Sequence, residues 1–228
     1  MIALLDADIL CYRVAAASED ENEDVAVTTM ATFIEELLMF DLEDVYNFEF
    51  FLTGKENFRF DVAVTAPYKG NRIDKPKPRH LPLMREYVEK AYDAKVSDGQ
   101  EADDDITTRA TEIGGDGFII VSIDKDFKQM PGWHYNFVKR EKTWVTPDEG
   151  MRFFYTQILM GDSADNIKGL YRVGPVKAAK MLEDAKTEEE LYQCCVEAMG
   201  VDRVLENARL LWLRRLPDEM WVPPNERV

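Results

Sequence analysis

Gly117-Phe118-Ile119-Ile120-Val121-Ser122-Ile123 runs directly into Asp124-Lys125-Asp126, and this junction decides how the rest of the chain is read. A short apolar, β-branched run between a glycine and an acid is the pattern of a strand buried on both faces. Just upstream, Glu101 to Ile113 reads as a helix. Its first turn is nearly all acid, and Gly114-Gly115 stands where a helix C-terminus favours glycine. Helix, then strand, then acid is a unit of an α/β sheet.

Outward from that unit the pattern repeats. Ile2-Ala3-Leu4-Leu5 is another buried strand, ended by Asp6, and Ala7 to Ala17 reads as helix. The acidic stretch Glu19 to Asp24 reads as a solvated turn, Thr28 to Phe40 as a second helix, and Val45 to Leu52 as a strand. Residues 54 to 81 are basic, contain Pro67, Pro76 and Pro78 and show no clean periodicity, which predicts a long loop or mobile arch. Leu83 to Tyr92 is helical. Shorter strands are expected at Trp133 to Val138 and Thr143 to Val145. From Pro147 onward the pattern is helical only, at about 148 to 160, 175 to 184, 187 to 199 and 201 to 214. This order predicts an α/β core over residues 1–146, with a basic arch at about 54–92, and a helical subdomain over 147–228. The tail after Leu216, with Pro217, Pro223 and Pro224, reads as extended packing or a frayed end.

The chain has 228 residues, with 44 acids against 28 bases and a formal net charge of −16. That excess argues against a nonspecific polyanion binder, so any nucleic-acid contact must come from local basic patches. The three cysteines lack metal-ligand spacing and read as small buried hydrophobes in a reducing compartment. His80 and His134 are too few and too far apart for a zinc site. Asp6 and Asp8 interrupt the N-terminal apolar run, which excludes a signal peptide. No run of about 18 apolar residues exists, so no membrane span is expected and the protein reads as cytoplasmic.

Binding sites in a parallel α/β sheet form beyond the carboxyl ends of the strands. Asp6 and Asp124 each end a strand there, with Asp126 two residues on. Glu101, Asp103, Asp104 and Asp105 open a helix. Acids at that end suit the helix dipole, but four in five positions exceed what a cap needs. Gly161-Asp162-Ser163-Ala164-Asp165-Asn166-Ile167-Lys168-Gly169 adds two more acids between glycines. Carboxylates gathered in one place repel unless cations lie between them, and hard oxygen ligands suit Mg²⁺ or Mn²⁺. Asp6, Glu101, Asp103, Asp104, Asp124, Asp126, Asp162 and Asp165 are what a two-metal phosphodiesterase needs. The basic stretch supplies the counterpart. Lys69 and Arg72 would offset charge at a scissile phosphate, Tyr68 would stack on an unpaired base, and Lys75, Lys77 and Arg79 extend the positive run. Lys168, Arg172, Lys177 and Lys180 form a second patch suited to duplex phosphates. Near it, glycine-flanked amides ahead of a helix would also hold phosphate.

Glu101-Ala102-Asp103-Asp104, Ser122-Ile123-Asp124-Lys125-Asp126-Phe127, Tyr68-Lys69-Gly70-Asn71-Arg72 and the 161–169 stretch together resemble the five-prime nuclease family. That family includes flap endonucleases, bacteriophage five-prime to three-prime exonucleases and the five-prime nuclease domain of bacterial DNA polymerase I. The resemblance runs from Met1 to about Leu182. Phage members are the most similar, by compact length and by the string Asp124-Lys125-Asp126-Phe127-Lys128.

The resemblance implies a PIN-like α/β fold, its mostly parallel sheet flanked by helices, with an arch for single-stranded DNA and a C-terminal helix-three-turn-helix subdomain. It implies Asp6, Glu101, Asp103 and Asp104 as ligands of a first metal. Asp124, Asp126, Asp162 and Asp165 would serve a second, some through water. Lys69 and Arg72 would contact the reacting phosphate beside Tyr68. The turn from Gly169 to Gly174 would grip duplex DNA and hold K⁺. The implied protein is a monomeric exonuclease and flap endonuclease of DNA replication or degradation. Its substrates carry a five-prime end, flap or nick, with RNA–DNA hybrid as a further one. The host cytoplasm is its place if a phage encodes it.

One departure stands out: the family's further aspartate after the second strand falls on Gly54. Glu56 or a water would have to substitute, or the first metal would bind more weakly. Asp8 and Asp105 are extra acids without an assigned role. Two other readings stay open, a PIN-type ribonuclease and a structure-specific DNA-binding protein with a weakened metal site.

Overall fold

A computed structural model describes residues 1–43 and 45–227. The chain opens with β1 (Ile2–Asp6), α1 (Ala7–Ala17) and α2 (Glu23–Glu36). Next come β2 (Asn47–Leu52), the single turn α3 (Arg59–Val62), α4 (Leu81–Tyr92), β3 (Lys95–Val96) and α5 (Ala102–Ile113). The strands β4 (Phe118–Val121), β5 (Gly132–Asn136) and β6 (Glu141–Val145) follow. The last stretch holds α6 (Pro147–Met160), β7 (Gly161–Asp162), β8 (Ile167–Lys168), α7 (Pro175–Met181), α8 (Glu188–Met199) and α9 (Val201–Leu211). No described helix is long and apolar enough to cross a membrane.

The described chain divides into two compact units. The first comprises Met1–Asn57, Pro76–Phe127 and Gly132–Val145; the second comprises Phe58–Lys75, Lys128–Pro131 and Thr146–Val228. One division thus falls beside the expected cut at residue 146, and residues 58–75 of the expected arch count with the C-terminal helices.

The first unit is a six-stranded sheet in the order β3-β2-β1-β4-β5-β6, parallel throughout except for the β5–β6 hairpin. The chain crosses from β1 to β2 on one side and to β4 on the other, so β1/β4 is the switch point where such sheets open a crevice. Side chains alternate between the faces. Ala3, Leu5, Phe50, Leu52, Ile119 and Val121 join one core with α1, α2 and α4. Leu4, Phe51, Phe118 and Ile120 are buried on the other face, where α5 packs on β1, β2 and β4. Helix α2 begins five residues earlier than the apolar pattern suggests. Asn22 accepts the Val25 N–H and caps it, which turns Glu23 and Asp24 from loop into first turn.

The second unit is built on α6, whose Phe154, Tyr155, Ile158 and Leu159 form one buried face against α7, α8 and α9. Trp212 meets Phe154 edge-on at 5.0 Å, and Trp221 tilts against the same ring at 5.9 Å. The tail is therefore packed rather than frayed as far as Trp221, which is buried. Arg59, read from sequence as part of a basic loop, is fully buried. It donates to the carbonyls of Leu210 and Trp212 at the end of α9. Cys11 and Cys195 are buried, and burial pushes both thiols up to about 12, so they pack as hydrophobes.

Candidate functional site

The parallel register aligns Leu5 with Val121, so Asp6 and the residues after Val121 leave the same edge of the first unit's sheet. Asp6 is buried and caps α1 by accepting the Ile9 N–H. The Ser122 hydroxyl donates to its other oxygen at 2.8 Å and in turn accepts the Asp124 N–H at 3.0 Å. Asp124 then accepts the Asp126 N–H at 2.9 Å. This relay fixes three of the expected ligands along one edge. Burial, offset by the Ser122 and Ile9 hydrogen bonds and reinforced by the charges of Asp124 and Glu101, pushes Asp6 up to about 6. Burial is the largest of these causes and the neighbouring charges are the smallest.

The acidic turn of α5 caps its own helix. Glu101 is the N-cap, and Asp104, fully buried, accepts its N–H in a capping box. Asp103 is half-buried beside them, and Asp105 is bound by Gln100. Among the described residues no three acids, histidines or cysteines already stand as a metal cage. The donor set fits a hard divalent cation, but binding one would draw the side chains inward. At residue 54 a side chain has no room, because a Cβ there would lie 2.0 Å from the Ser97 carbonyl oxygen. The adjacent Thr53 N–H instead donates to Asp8 at 2.7 Å.

In the second unit the basic segment is laced to the acidic loop. Lys69 N–H donates to the Asp165 carbonyl at 2.9 Å, Asn71 to Ser163 at 2.7 Å, and Asn166 to Pro67 at 2.9 Å. Arg72 binds the Ala164 carbonyl at 2.8 Å and the Asp165 carboxylate at 2.6 Å. Asp165 is thereby held by its own chain, where a metal role was expected. Tyr68 is corrected more firmly: it is buried in the α6 core, Phe60 meets its ring edge-on and its hydroxyl binds Asp165, so it offers no face for a base. The Lys69 ammonium lies 5.2 Å from that ring. Asp162 is buried and accepts the Ala164 N–H at 2.7 Å. Lys75 and Lys77 are exposed, the first closing this segment and the second lying in the first unit.

Lys168, Arg172, Gly174, Lys177 and Lys180 are exposed around the 169–175 turn. Sequence reading missed Tyr171, which is exposed and stacks under Arg172 at 5.0 Å. Gly169 has another reason to be glycine, since its backbone presses on that of Met160 and Gly161. The amides ahead of α7 are also a weaker phosphate trap than expected. That helix has only seven residues, and its first, Pro175, has no N–H.

No protein-family model matches the chain. Among known proteins it is similar to DNA polymerase I of Bacillus subtilis, 30% identical over 224 residues. The match covers 87% of this chain and 25% of the polymerase. It is also 27% identical over 210 residues to a 5'-3' exonuclease of Buchnera aphidicola, covering 84% of this chain and 72% of that one. The chain spans about a quarter of the length of the polymerases it matches. Among solved structures, a bacteriophage T5 flap endonuclease in a pseudo-enzyme–product complex with DNA and metal ions superposes with a TM-score of 0.72 at 16% identity. That match covers 92% of this chain and 88% of the other. A T5 5'-exonuclease variant superposes at 0.58, covering 92% of this chain and 97% of that one. In sequence the chain is similar to DNA polymerase I and to a 5'-3' exonuclease, and it shares its fold with the T5 flap endonuclease and 5'-exonuclease.

Proposed function

We propose that the chain hydrolyses DNA phosphodiester bonds at or near a five-prime end, as an exonuclease and flap endonuclease that depends on a divalent metal. The observation that supports this best is Asp6, a buried acid at the switch point of a parallel sheet, linked through the Ser122 hydroxyl to Asp124. Asp6, Glu101, Asp103 and Asp104 would hold one Mg²⁺ or Mn²⁺ ion, and Asp124 and Asp126 a second. Asp162 is assigned as a ligand on the resemblance alone. When bound, such ions supply a water that is nucleophilic at neutral pH and positive charge for the leaving oxygen. The chain's own part is orientation and charge. The Ser122 hydroxyl donates to the Asp6 carboxylate and accepts the Asp124 N–H, which holds the two residues in register. Lys69 and Arg72 are assigned to the reacting phosphate on the resemblance alone. Lys168, Arg172, Lys177 and Lys180 hold duplex phosphates without reading sequence.

In the same reading, residues 1–146 carry the chemistry and 147–228 the duplex grip, with K⁺ at the Gly169–Gly174 turn. The protein works as a monomer in the cytoplasm and accepts RNA–DNA hybrid besides DNA. A second reading, a DNA-binding protein with a weakened metal site, is favoured by Gly54, where the family's carboxylate has no room. Five-prime-labelled flap, nicked duplex, RNA–DNA hybrid and single-stranded RNA, each incubated with Mg²⁺ or Mn²⁺, separate the readings. Fastest cleavage of the flap supports the nuclease. Preference for single-stranded RNA would replace it with a PIN-type ribonuclease, and tight flap binding without turnover with the binding protein.

A further inference from the structure

We propose that Asp8, Arg85 and Thr53 form a positioning device that holds the acidic first turn of α5 at the sheet edge, in place of the carboxylate that residue 54 cannot carry. The proposal rests on the metal-dependent reading of that edge and adds three residues to those assigned there.

Every polar group of Thr53 is committed. Its N–H donates to Asp8 Oδ2 at 2.7 Å, its carbonyl accepts from Arg85 Nη2, and its hydroxyl accepts the Ala102 N–H at 3.0 Å. The other guanidinium nitrogen of Arg85 closes the loop by pairing with Asp8 Oδ1. A carboxylate and a guanidinium therefore grip one residue from two sides. These groups come from α1, the end of β2, α4 and the start of α5, so the device ties four elements together at one point.

The hydroxyl contact is the one that reaches the site. Ala102 is the first residue of α5, and its N–H is among the four that a helix N-terminus leaves unpaired. Glu101 precedes it and Asp103 follows, so the position of Thr53 sets the position of both acids. Residue 54 cannot carry a side chain, because the Ser97 carbonyl fills that space, and the Ser97 N–H is itself bonded to the Leu52 carbonyl at 2.8 Å. With both its oxygens engaged, Asp8 acts through Thr53, and Arg85 balances its charge two residues from Asp6. The Arg85–Asp8 pair is about one-third exposed on each side. Its strength therefore comes from the fork geometry and the shared carbonyl, not from burial.

The test is Mg²⁺ binding by calorimetry on the full chain, together with the Mg²⁺ dependence of flap cleavage, for Arg85→Met, Asp8→Asn, Thr53→Val and Thr53→Ser. Arg85→Met and Thr53→Val are expected to weaken Mg²⁺ binding about tenfold and to raise the half-saturating Mg²⁺ by the same factor. The cleavage rate at saturating Mg²⁺ should be unchanged, and Thr53→Ser should bind Mg²⁺ like wild type. The double variant Asp8→Asn/Arg85→Met should be no weaker than the worse single one. Wild-type Mg²⁺ affinity in a folded Thr53→Val overturns the proposal, as does a lost saturating rate at unchanged affinity. Thr53→Val changes one atom, so it decides the matter even if Arg85→Met fails to fold. A wild-type protein that binds no Mg²⁺ overturns the metal reading itself, and the device with it.

Discussion

Arg72 and Asp165 form an ion pair with 2.6 Å between Nη2 and Oδ1, and the Tyr68 hydroxyl donates to the other Asp165 oxygen at 3.1 Å. An acid that the family pattern assigns to a metal is here the knot that ties residues 66–72 to the 162–166 loop. Asp165→Asn should therefore speed proteolysis within 66–75 and leave Mg²⁺ binding unchanged. With Arg72 about half exposed, a double-mutant cycle with Arg72→Met should give a coupling below about 1 kcal/mol. Weaker Mg²⁺ binding by Asp165→Asn would show that it is a ligand after all.

Tyr68 gives a sharper separation. Tyr68→Phe loses one hydrogen bond and should cost about 1 kcal/mol of stability while leaving single-stranded DNA affinity intact. Tyr68→Ala opens a cavity in the α6 core and should cost about 3–5 kcal/mol. Thermal melts beside DNA titrations check this. A stable Tyr68→Ala protein with selectively lost single-strand binding would restore the stacking role.

Asp6 makes stability depend on pH and metal. Its folded pKa, raised to about 6 from 3.8, means that the folded protein keeps a proton the unfolded chain has lost. The stability linked to that proton is fully present below about pH 4 and is lost as pH rises through about 6. Without divalent metal, Asp6→Asn should be more stable than wild type near neutral pH, by up to about 3 kcal/mol. The difference should vanish in acid, and Mg²⁺ should stabilise wild type more than the variant. Denaturant curves at several pH values with EDTA or Mg²⁺ read this directly; a pH-independent difference would contradict it.

The strands, most helices and the carboxyl-edge acids were legible because each is announced locally, by an apolar run, a cap or a glycine stop. Asp6, Asp124 and Asp126 needed only the rule that parallel strands end at one edge. What stayed hidden depends on partners far away in sequence. Nothing near Asp8 announces Arg85, 77 residues on, and nothing near Arg59 announces the α9 carbonyls 151 and 153 residues away. Tyr68 looked like an exposed aromatic in a basic loop because no periodicity marks a single turn folded onto another helix. The departure at Gly54 was visible, but its cause, the Ser97 carbonyl, was not.

That cause predicts the outcome of restoring the family residue. Gly54→Asp should not strengthen metal binding. Its Cβ would force Ser97 away from β2 and should cost about 1–3 kcal/mol, with Gly54→Ala costing nearly as much. Melting temperatures and Mg²⁺ titrations of both variants check it; tighter Mg²⁺ binding by Gly54→Asp at wild-type stability would refute the steric account.

The central claim is that the acids at the sheet edge make this chain a metal-dependent five-prime nuclease. It is tested most directly by following a five-prime-labelled DNA flap with wild type and Asp124→Ala, in Mg²⁺ and in EDTA. The account predicts cleavage by wild type in Mg²⁺, none in EDTA, and none by an Asp124→Ala protein that melts like wild type. Undiminished cleavage in EDTA, or by Asp124→Ala, would contradict it.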